Sequence, residues 1–328
     1  MSTTELPEPT SGKPTQAPTS TPSDTPTEAG EAANATGAAK AATSGPLRVR
    51  LADFEKRHMA GAGNWLYEIP WQGGKAVLKV YFGSRNPLLH VRKTISNAIF
   101  SGRSSHMPRA RCQIEKECLE TWSKHGFEIF GYHPDVIFED LPEGGYLLFD
   151  FTTGTHFREY YKDTSIPIDE RMATWRRFLK IWHRRHALAV QHNEPRLIHE
   201  NGDVKHVLIQ GEGEDQHFVS FDFEIIFRSR DLRDQVGREI LAYLRSCGKF
   251  FGEEIYQVML AETVKHYPDP SMLVAAWEHG WRNRNPLIRF ARVLDRALRP
   301  GKRKRFSKYS VAAELKQKLD AASLTNPS

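Results

Sequence analysis

Four charged side chains occur in a fixed order along this chain of 328 residues. Lys79 ends the run Ala76-Val-Leu-Lys79, Glu115 lies in a segment of helical spacing, and Asp203 and Asp222 lie on two later loops. A lysine can hold phosphate oxygens, one carboxylate can accept the proton of an attacking hydroxyl, and another can hold Mg²⁺ against nucleotide phosphates. The order therefore indicates phosphoryl transfer from a nucleotide to a hydroxyl.

A turn with two glycines, Gly61-Ala-Gly63-Asn64, precedes the strand pair that would carry Lys79. A lysine on a strand beneath a glycine-containing turn is suited to holding phosphate oxygens. Gly61, Gly63, Asn64 and Lys79 are therefore candidate nucleotide-binding residues. The alternative for Lys79 is an ordinary lysine on the protein surface.

Glu115 lies in the run from Ala110 to His125, whose apolar residues recur at helical spacing. It shares one face of this helix with Leu119 and Trp122, and that face must pack on the sheet. A buried acid needs a cationic partner, and we expect Lys79 to be that partner. Glu117 is the rival for this position, and a solvated place at the helix edge is the alternative.

The elements that must position these residues fall into two groups. The first half of the chain contains strand and helix signals: a hairpin over 64–71 and 75–82 with a Gly-Gly turn, a basic loop over 90–109, a helix over 110–125, and strands at 135–139 and 145–151. The second half is mainly helical: a long amphipathic helix over 169–192, short strands at 207–210 and 217–223, helices from 233 to 298, and a short helix over 312–322.

The sequence therefore predicts an α+β fold in two lobes. An antiparallel sheet with one helix would occupy residues 47–149, and a mainly helical lobe would occupy residues 150–300. Residues 1–46 are rich in Thr, Ser, Pro, Ala, Gly and Glu and contain no aromatic residue. We expect them to be disordered, because they cannot bury enough apolar surface to offset the entropy of ordering. Residues 301–328 are expected to form a basic tail.

This arrangement resembles the protein-kinase-like fold, and within it the bacterial lipopolysaccharide core kinases, which phosphorylate heptose or Kdo sugars. The resemblance covers roughly residues 55–255. It rests on Ala76-Val-Leu-Lys79, on Glu115 with Leu119, Trp122 and Gly126, on Gly202-Asp203-Val-Lys205, on Asp222-Phe-Glu224 in place of the Asp-Phe-Gly motif, and on the hinge-like strand from Tyr146 to Gly154.

The resemblance implies ATP and Mg²⁺ as cofactors and a sugar or glycolipid hydroxyl as the acceptor. The roles that it implies are catalysis by Asp203 and Lys205, phosphate binding by Lys79 with Glu115, adenine binding near Asp150 and Phe151, and metal binding by Asp222 and His206.

The expected catalytic loop departs from the family pattern, in which a histidine lies two places before the aspartate and an asparagine or histidine five places after it. Counted from Asp203, Asn201 lies two places before and Leu208 five places after, while His199 lies four before. His206 serves as the second metal ligand only if the loop is two residues shorter, and Mg²⁺ prefers oxygen. His206 packing against the backbone is the alternative. A pseudokinase, a binding or regulatory module without turnover, therefore stays open.

The net charge of +6 is distributed unevenly. Residues 282–308 contain eleven Lys or Arg and one acid, whereas residues 1–45 have a net charge of −3. Such a basic segment is typical of contact with a polyanion, so we expect peripheral contact with an anionic membrane there. A solvated helix face is one alternative, and nucleic-acid binding through the same segment is another.

The composition excludes several classes of protein. With 39% hydrophobic and 26% charged residues, the chain is neither collagen-like nor mostly disordered. No apolar run approaches the roughly 18 residues that span a bilayer, and the start lacks the apolar core of a secretory signal. Cys112, Cys118 and Cys247 are too few and too scattered for a disulfide framework. We expect a cytoplasmic protein, at the inner face of the cytoplasmic membrane.

Overall fold

The computed structural model describes residues 45–60, 63–82, 87–97, 102–228, 231–281, 290 and 305–325. Its strands are β1 (Leu47–Val49), β2 (Arg57–Ala60), β3 (Trp65–Trp71), β4 (Gly74–Val80), β5 (Val136–Phe138), β6 (Tyr146–Asp150), β7 (Thr155–His156), β8 (Val207–Gln210) and β9 (His217–Ser220). Its helices are α1 (Pro87–Ser96), α2 (Pro108–Lys124), α3 (Phe157–Lys162), α4 (Ile168–His192), α5 (Leu232–Phe251), α6 (Glu253–His266), α7 (Pro270–Trp281) and α8 (Lys308–Thr325).

A four-stranded antiparallel sheet in the order β2-β3-β4-β6 forms the first half. The predicted hairpin is confirmed: β3 and β4 turn at Gln72 and Gly73, which have φ of 46° and 81°. Two left-handed residues match the twist of a hairpin, and this explains the glycine there. Side chains alternate along β4, so Leu78 and Val80 enter one core cluster while Lys79 faces the other way.

Helix α2 covers the face of the sheet that carries Lys79. Its buried residues include Glu115, Cys118, Leu119 and Trp122, at the spacing that the sequence predicts. Because three of these four side chains are apolar, burial of the helix face is driven by the hydrophobic effect, and Glu115 is buried with them.

The second half is mainly helical, as the sequence predicts. Helix α4 carries Trp175, Phe178, Leu179 and Trp182 at 4% exposure or less, and these side chains form the centre of a core shared with α5, α6 and α7. The helix ends at Asn193, whose φ of 51° places it in the left-handed region typical of a helix end. The chain is therefore an α+β fold with an antiparallel sheet followed by a helical region.

The hairpin of β8 and β9 brings two distant loops together. Val207 pairs with Ser220, and the backbone N–H of Phe221 donates to the His206 carbonyl at 3.1 Å. The loop that ends at His206 and the segment that begins at Phe221 are therefore neighbours. This hairpin is the reason that Asp203 and Asp222 share one region of the molecule.

One predicted element is wrong. Part of the expected basic loop over 90–109 is helix α1, which spans Pro87–Ser96. The C-terminal helix α8 is also longer than the predicted 312–322. Gly61, most of the tail 1–46 and most of the basic segment 282–308 lie outside the described residues. Within the described residues no helix is long and apolar enough to cross a membrane.

Candidate active site

Lys79 lies among three carboxylates, of which Glu115 is buried and Asp222 and Glu224 are partly buried. Its Nζ lies 2.7 Å from Glu115 Oε2, 2.8 Å from Glu224 Oε1 and 3.1 Å from Asp222 Oδ1. Lys79 and Glu115 are 7% and 2% exposed, respectively. The three carboxylates come from helix α2 and from the segment after β9, so Lys79 ties the sheet to both of them.

The charges of this group shift one another's pKa values. Burial opposes the charge of Lys79, but the three carboxylates outweigh burial and hold the pKa of its ammonium well above the usual value. Burial raises the pKa of Glu115, and Lys79 partly opposes this. Burial alone would raise the pKa of Asp222, but the attraction of Lys79 outweighs burial, so this pKa lies well below the usual range. Asp222 is therefore a carboxylate at neutral pH.

A second cation, Arg111, lies one helical turn before Glu115 and is 1% exposed. Its Nη1 donates to Glu224 Oε2 at 2.7 Å and to Asn64 Oδ1 at 2.8 Å, and its Nη2 donates to the Tyr81 carbonyl at 2.7 Å. The Asn64 amide donates to Glu224, and the Tyr81 hydroxyl donates to Glu115. Asn64, a predicted nucleotide-binding residue, is thus attached to Glu224.

Asp222 receives contacts from the loop before β8. The Asn201 amide donates to Asp222 Oδ2 at 3.1 Å, and His206 Nε2 lies 3.4 Å from the same oxygen. His199 Nε2 donates to the Asp222 carbonyl at 3.2 Å. Asp222 itself has a φ of 73°, a left-handed conformation that is uncommon outside glycine. Strain of this kind persists where surrounding contacts hold it, and the contacts from this loop do so.

Glu239 of α5 holds the start of the same loop through a hydrogen bond to its backbone. Its fully buried carboxylate accepts the backbone N–H of His199 at 2.8 Å and Trp182 Nε1 at 2.9 Å, and it pairs with Arg185 and His186. Burial alone would raise the pKa of Glu239, but Arg185 and His186 hold it well below the usual range. The backbone at the start of the loop therefore donates a hydrogen bond to the Glu239 carboxylate, which stays charged within the helical core.

Asp203 and Lys205, the predicted catalytic residues, lie further along this loop. The Asp203 carboxylate is partly buried and accepts the backbone N–H of Lys205 at 3.1 Å, while Lys205 is exposed. The loop side chains that contact the Asp222 carboxylate are Asn201 and His206. The structure therefore brings Lys79, Glu115, Asp222 and His206 together and leaves Asp203 bonded within its own loop.

Counting along the loop from His199 finds a register that the sequence analysis missed. Asn201 lies two places after His199, and His206 lies five places after Asn201. This spacing matches the catalytic-loop pattern described in the sequence analysis without any shortening of the loop, and it aligns Asn201 with the aspartate of that pattern. The spacing from His199 is visible in the sequence. The sequence analysis instead matched Gly202-Asp203 to the catalytic-loop motif.

Asp150 and Phe151, which the sequence analysis expects near adenine, lie at the end of β6 and directly after it. The backbone N–H of Asp150 donates to the Gly131 carbonyl at 2.9 Å, and its carboxylate lies 2.8 Å from His133 Nε2. The backbone N–H of Phe151 donates to the Lys75 carbonyl at 3.3 Å. Gly63 is buried at the start of β3.

Glu117 and the described part of the basic segment 282–308 both form ion pairs within the fold. Glu117, the rival of Glu115, lies 3.6 Å from Arg196 and is partly exposed. Within the described part of the basic segment, Arg305 pairs with Glu253 and Glu314. That cation therefore stabilises the packing of α8 on α6.

Three carboxylates of the cluster are suited to a metal ion. Oxygen atoms of Glu115, Asp222 and Glu224 all lie within 4.8 Å of one another, and oxygen is the ligand that Mg²⁺ prefers.

The orientation of the His206 ring also favours a cation beside Asp222. Its Nδ1 donates to the Asn201 carbonyl at 3.0 Å, so in the neutral ring the Nε2 lone pair faces Asp222 Oδ2. Burial lowers the pKa of His206, which favours this neutral ring. A cation between the two acceptors would relieve their repulsion.

No protein-family model and no curated protein matches the sequence. Solved structures do resemble the fold. The Rio2 kinase of Chaetomium thermophilum, in its ADP/Mg²⁺-phosphoaspartate complex, is 14% identical over 82% of this chain and 71% of its own, with a TM-score of 0.40. WaaP in complex with acyl carrier protein is 11% identical over 82% and 89%, at 0.37. The apo pseudokinase GRMZM2G135359 is 16% identical over 84% and 98%, at 0.39.

Proposed function

We propose that this chain is a phosphotransferase of the protein-kinase-like class, which binds Mg·ATP and transfers the terminal phosphoryl group to a hydroxyl. The observation that carries the proposal is the buried Lys79–Glu115 ion pair of 2.7 Å, with Asp222 on the other side of the same ammonium. A lysine fixed between an acid of a helix and an acid after a strand is positioned to hold phosphate oxygens beside a metal ion.

Each residue of the cluster then has a role. Lys79 binds phosphate oxygens, Glu115 orients Lys79, and Asp222 with His206 holds Mg²⁺. The bound metal would neutralise charge that develops on the phosphates. Lys79 donates to Glu115 and Asp222, and Glu224 Oε1 lies 2.8 Å from the same Nζ, so three carboxylates already surround the ammonium. A phosphate oxygen must therefore replace either Asp222 or Glu224, because Glu115 is the most deeply buried of the three.

The transfer step needs an acceptor for one proton. The hydroxyl oxygen of the acceptor forms a bond to the terminal phosphorus, the bond from that phosphorus to the bridging oxygen breaks, and ADP leaves. The proton of the hydroxyl passes to a carboxylate of the loop, and Asp203 is the residue that we assign to this role. The acceptor that we propose is a sugar hydroxyl of a lipopolysaccharide core, on the resemblance described above.

One observation favours a second candidate, a nucleotide-binding module without turnover. Asn201 faces Asp222 and stands where the catalytic aspartate stands when the loop is counted from His199. A neutral amide cannot accept a proton. If Asp203 does not reach the acceptor from its place near Lys205, nucleotide binds and no transfer follows.

Nucleotide binding is tested by the melting temperature of the full chain with ATP, with and without Mg²⁺. We expect a rise that needs Mg²⁺ and is lost in Asp222→Asn. The matched control is Asp215→Asn, an exposed acid on the β8–β9 turn, which should behave as the natural chain does. No rise with any nucleotide would contradict both candidate functions, and an equal rise in Asp222→Asn would contradict the metal-binding role of Asp222.

Turnover separates the two candidates. ADP release is measured with isolated lipopolysaccharide core oligosaccharide as the acceptor, for the natural chain, Asp203→Asn and Asn201→Asp. General-base catalysis contributes about 10²–10⁴-fold, so a loss of that size in Asp203→Asn supports the phosphotransferase. Nucleotide binding without turnover, together with a gain of turnover in Asn201→Asp, supports the binding module.

A further inference from the structure

Helix α1 is inverted relative to an ordinary surface helix. Its inward positions are polar: His90 is 4% exposed, and Asn97, just past the helix end, is 8% exposed. Its outward positions are apolar: Leu88, Val91 and Ile95 are 74%, 45% and 53% exposed. These three residues lie at i, i+3 and i+7, which places them on one face. A surface helix normally buries such a face.

Specific hydrogen bonds hold α1 in this orientation. The Asn97 amide donates to the Ser104 carbonyl at 3.2 Å, and the backbone N–H of His106 donates to Thr94 Oγ1 at 3.0 Å. His90 Nδ1 lies 3.2 Å from the His106 carbonyl. Rotating the helix to bury its apolar face would break these contacts with residues 104–106. The fold therefore fixes the apolar face outward.

The surroundings of this face are cationic. From Tyr81 to Ile114 the chain contains six Lys or Arg and no acid. Of these, Arg103 and Arg111 are committed to Glu200 and Glu224. Arg92 and Arg109 are exposed.

An anionic lipid membrane matches both the apolar side chains of this face and the cations beside them. The headgroup region of an anionic membrane accepts apolar side chains at its acyl boundary and attracts Lys and Arg by its surface charge. A second copy of this chain meets the apolar requirement but would bring two cationic faces together, and like charges at an interface are unfavourable.

We propose that α1 docks this protein peripherally on an anionic lipid surface, with Leu88, Val91 and Ile95 inserted and Arg92 and Arg109 at the headgroups. The residues of this surface belong to a different part of the sequence from 282–308, and the proposal does not depend on whether the chain transfers phosphate.

The test is co-sedimentation of the full chain with vesicles. Vesicles of phosphatidylcholine alone are compared with vesicles that also contain phosphatidylglycerol, at low and at high salt. We expect binding to the anionic vesicles only, weakened by salt. Ile95→Asp should reduce the bound fraction about tenfold, since it places a charge in the inserted face. Val258→Asp is the matched control: Val258 is 37% exposed on α6 and should not matter.

Each outcome of the vesicle assay either supports or contradicts membrane docking through α1. Binding by Ile95→Asp equal to that of the natural chain would assign the membrane contact to another segment, such as 282–308, and would overturn the proposal. So would a failure of the natural chain to bind anionic vesicles. Light scattering after size exclusion checks the remaining occupant: a dimer that Ile95→Asp converts to a monomer would make the face a self-interface. Unchanged circular dichroism of Ile95→Asp excludes unfolding as the cause of a loss.

Discussion

Lys79 and Arg111 together face three carboxylates, so the buried cluster has one more negative than positive charge. Removing one cation leaves the acids to repel one another where solvent screens them poorly, since Glu115 is 2% exposed. The cost of such a change is much larger than the value of an exposed ion pair, because exposed charges are solvated when their partner is lost. Strand β4 offers a matched comparison, since it carries a buried lysine and an exposed lysine four residues apart.

We expect Lys79→Ala to lower the free energy of unfolding by about 3–5 kcal/mol, since it leaves Glu115 without its ammonium. Lys75→Ala should change it by about 0–1 kcal/mol, because Lys75 is 57% exposed on its side chain and its partner Glu68 keeps Arg57 as a second cation. Urea denaturation followed by circular dichroism measures both. Equal effects of the two substitutions would show that the cluster around Lys79 is not buried as described.

At the scale of elements, α5 is packed against α7 with almost no space between the backbones. A Cβ added at Gly237 would lie 2.6 Å from the carbonyl carbon of Ala275. Alanine normally stabilises a helix relative to glycine by roughly 0.5–1 kcal/mol, so at this position sterics and propensity act in opposite directions. The added Cβ would clash with backbone atoms, which cannot move aside as a flexible side chain can. The steric cost therefore exceeds the gain in helix propensity.

Gly237→Ala is therefore expected to lower the free energy of unfolding by about 1–3 kcal/mol despite the better helix former. Gly74→Ala is the control: the nearest atom to an added Cβ there, the Trp71 carbonyl oxygen, is 3.7 Å away. It should change stability by less than about 1 kcal/mol. Thermal unfolding of both variants decides this, and a stabilised Gly237→Ala would refute the close approach of α5 and α7.

Element by element, the sequence predicts what is decided locally. The β3–β4 hairpin and helix α4 were predictable because a glycine turn and a 3.6-residue period encode them. Helix α1 was missed because its apolar residues face outward, so the basic residues between them suggested a loop.

In the site, Lys79, Glu115 and Asp222 follow from their order along the chain. The Arg111–Glu224 pair joins residues 113 positions apart, and no local pattern predicts such a pair.

At the scale of the whole molecule, two buried histidines couple stability to pH. Burial lowers the pKa of His186 to about 4, against the opposing attraction of Glu239. Burial and the neighbouring His206 lower the pKa of His199 to about 4 as well. Their ordinary value is 6.5, so between these limits the unfolded chain binds protons that the folded chain does not. Stability contributed by the neutral rings is complete above pH 6.5 and is lost as the pH falls toward 4.

The free energy of unfolding should therefore decrease between pH 6.5 and pH 4, by up to about 1.4 kcal/mol per pH unit for each histidine. His186→Asn should be less stable at pH 7, because it loses bonds to Tyr267 and Glu239, and should show a shallower slope over this range. Urea unfolding at a series of pH values measures the slope. A slope unchanged in His186→Asn would mean that His186 is not the titrating group.

The contact between Trp122 and Phe223 gives the protein an internal optical reporter. The two rings have centroids 4.5 Å apart, and Trp122 Nε1 donates to the Arg196 carbonyl at 2.8 Å. Phe223 follows Asp222 directly, so any movement of that aspartate changes the surroundings of the indole. Fluorescence from Trp122 therefore responds to the position of the segment that carries Asp222, without any attached dye.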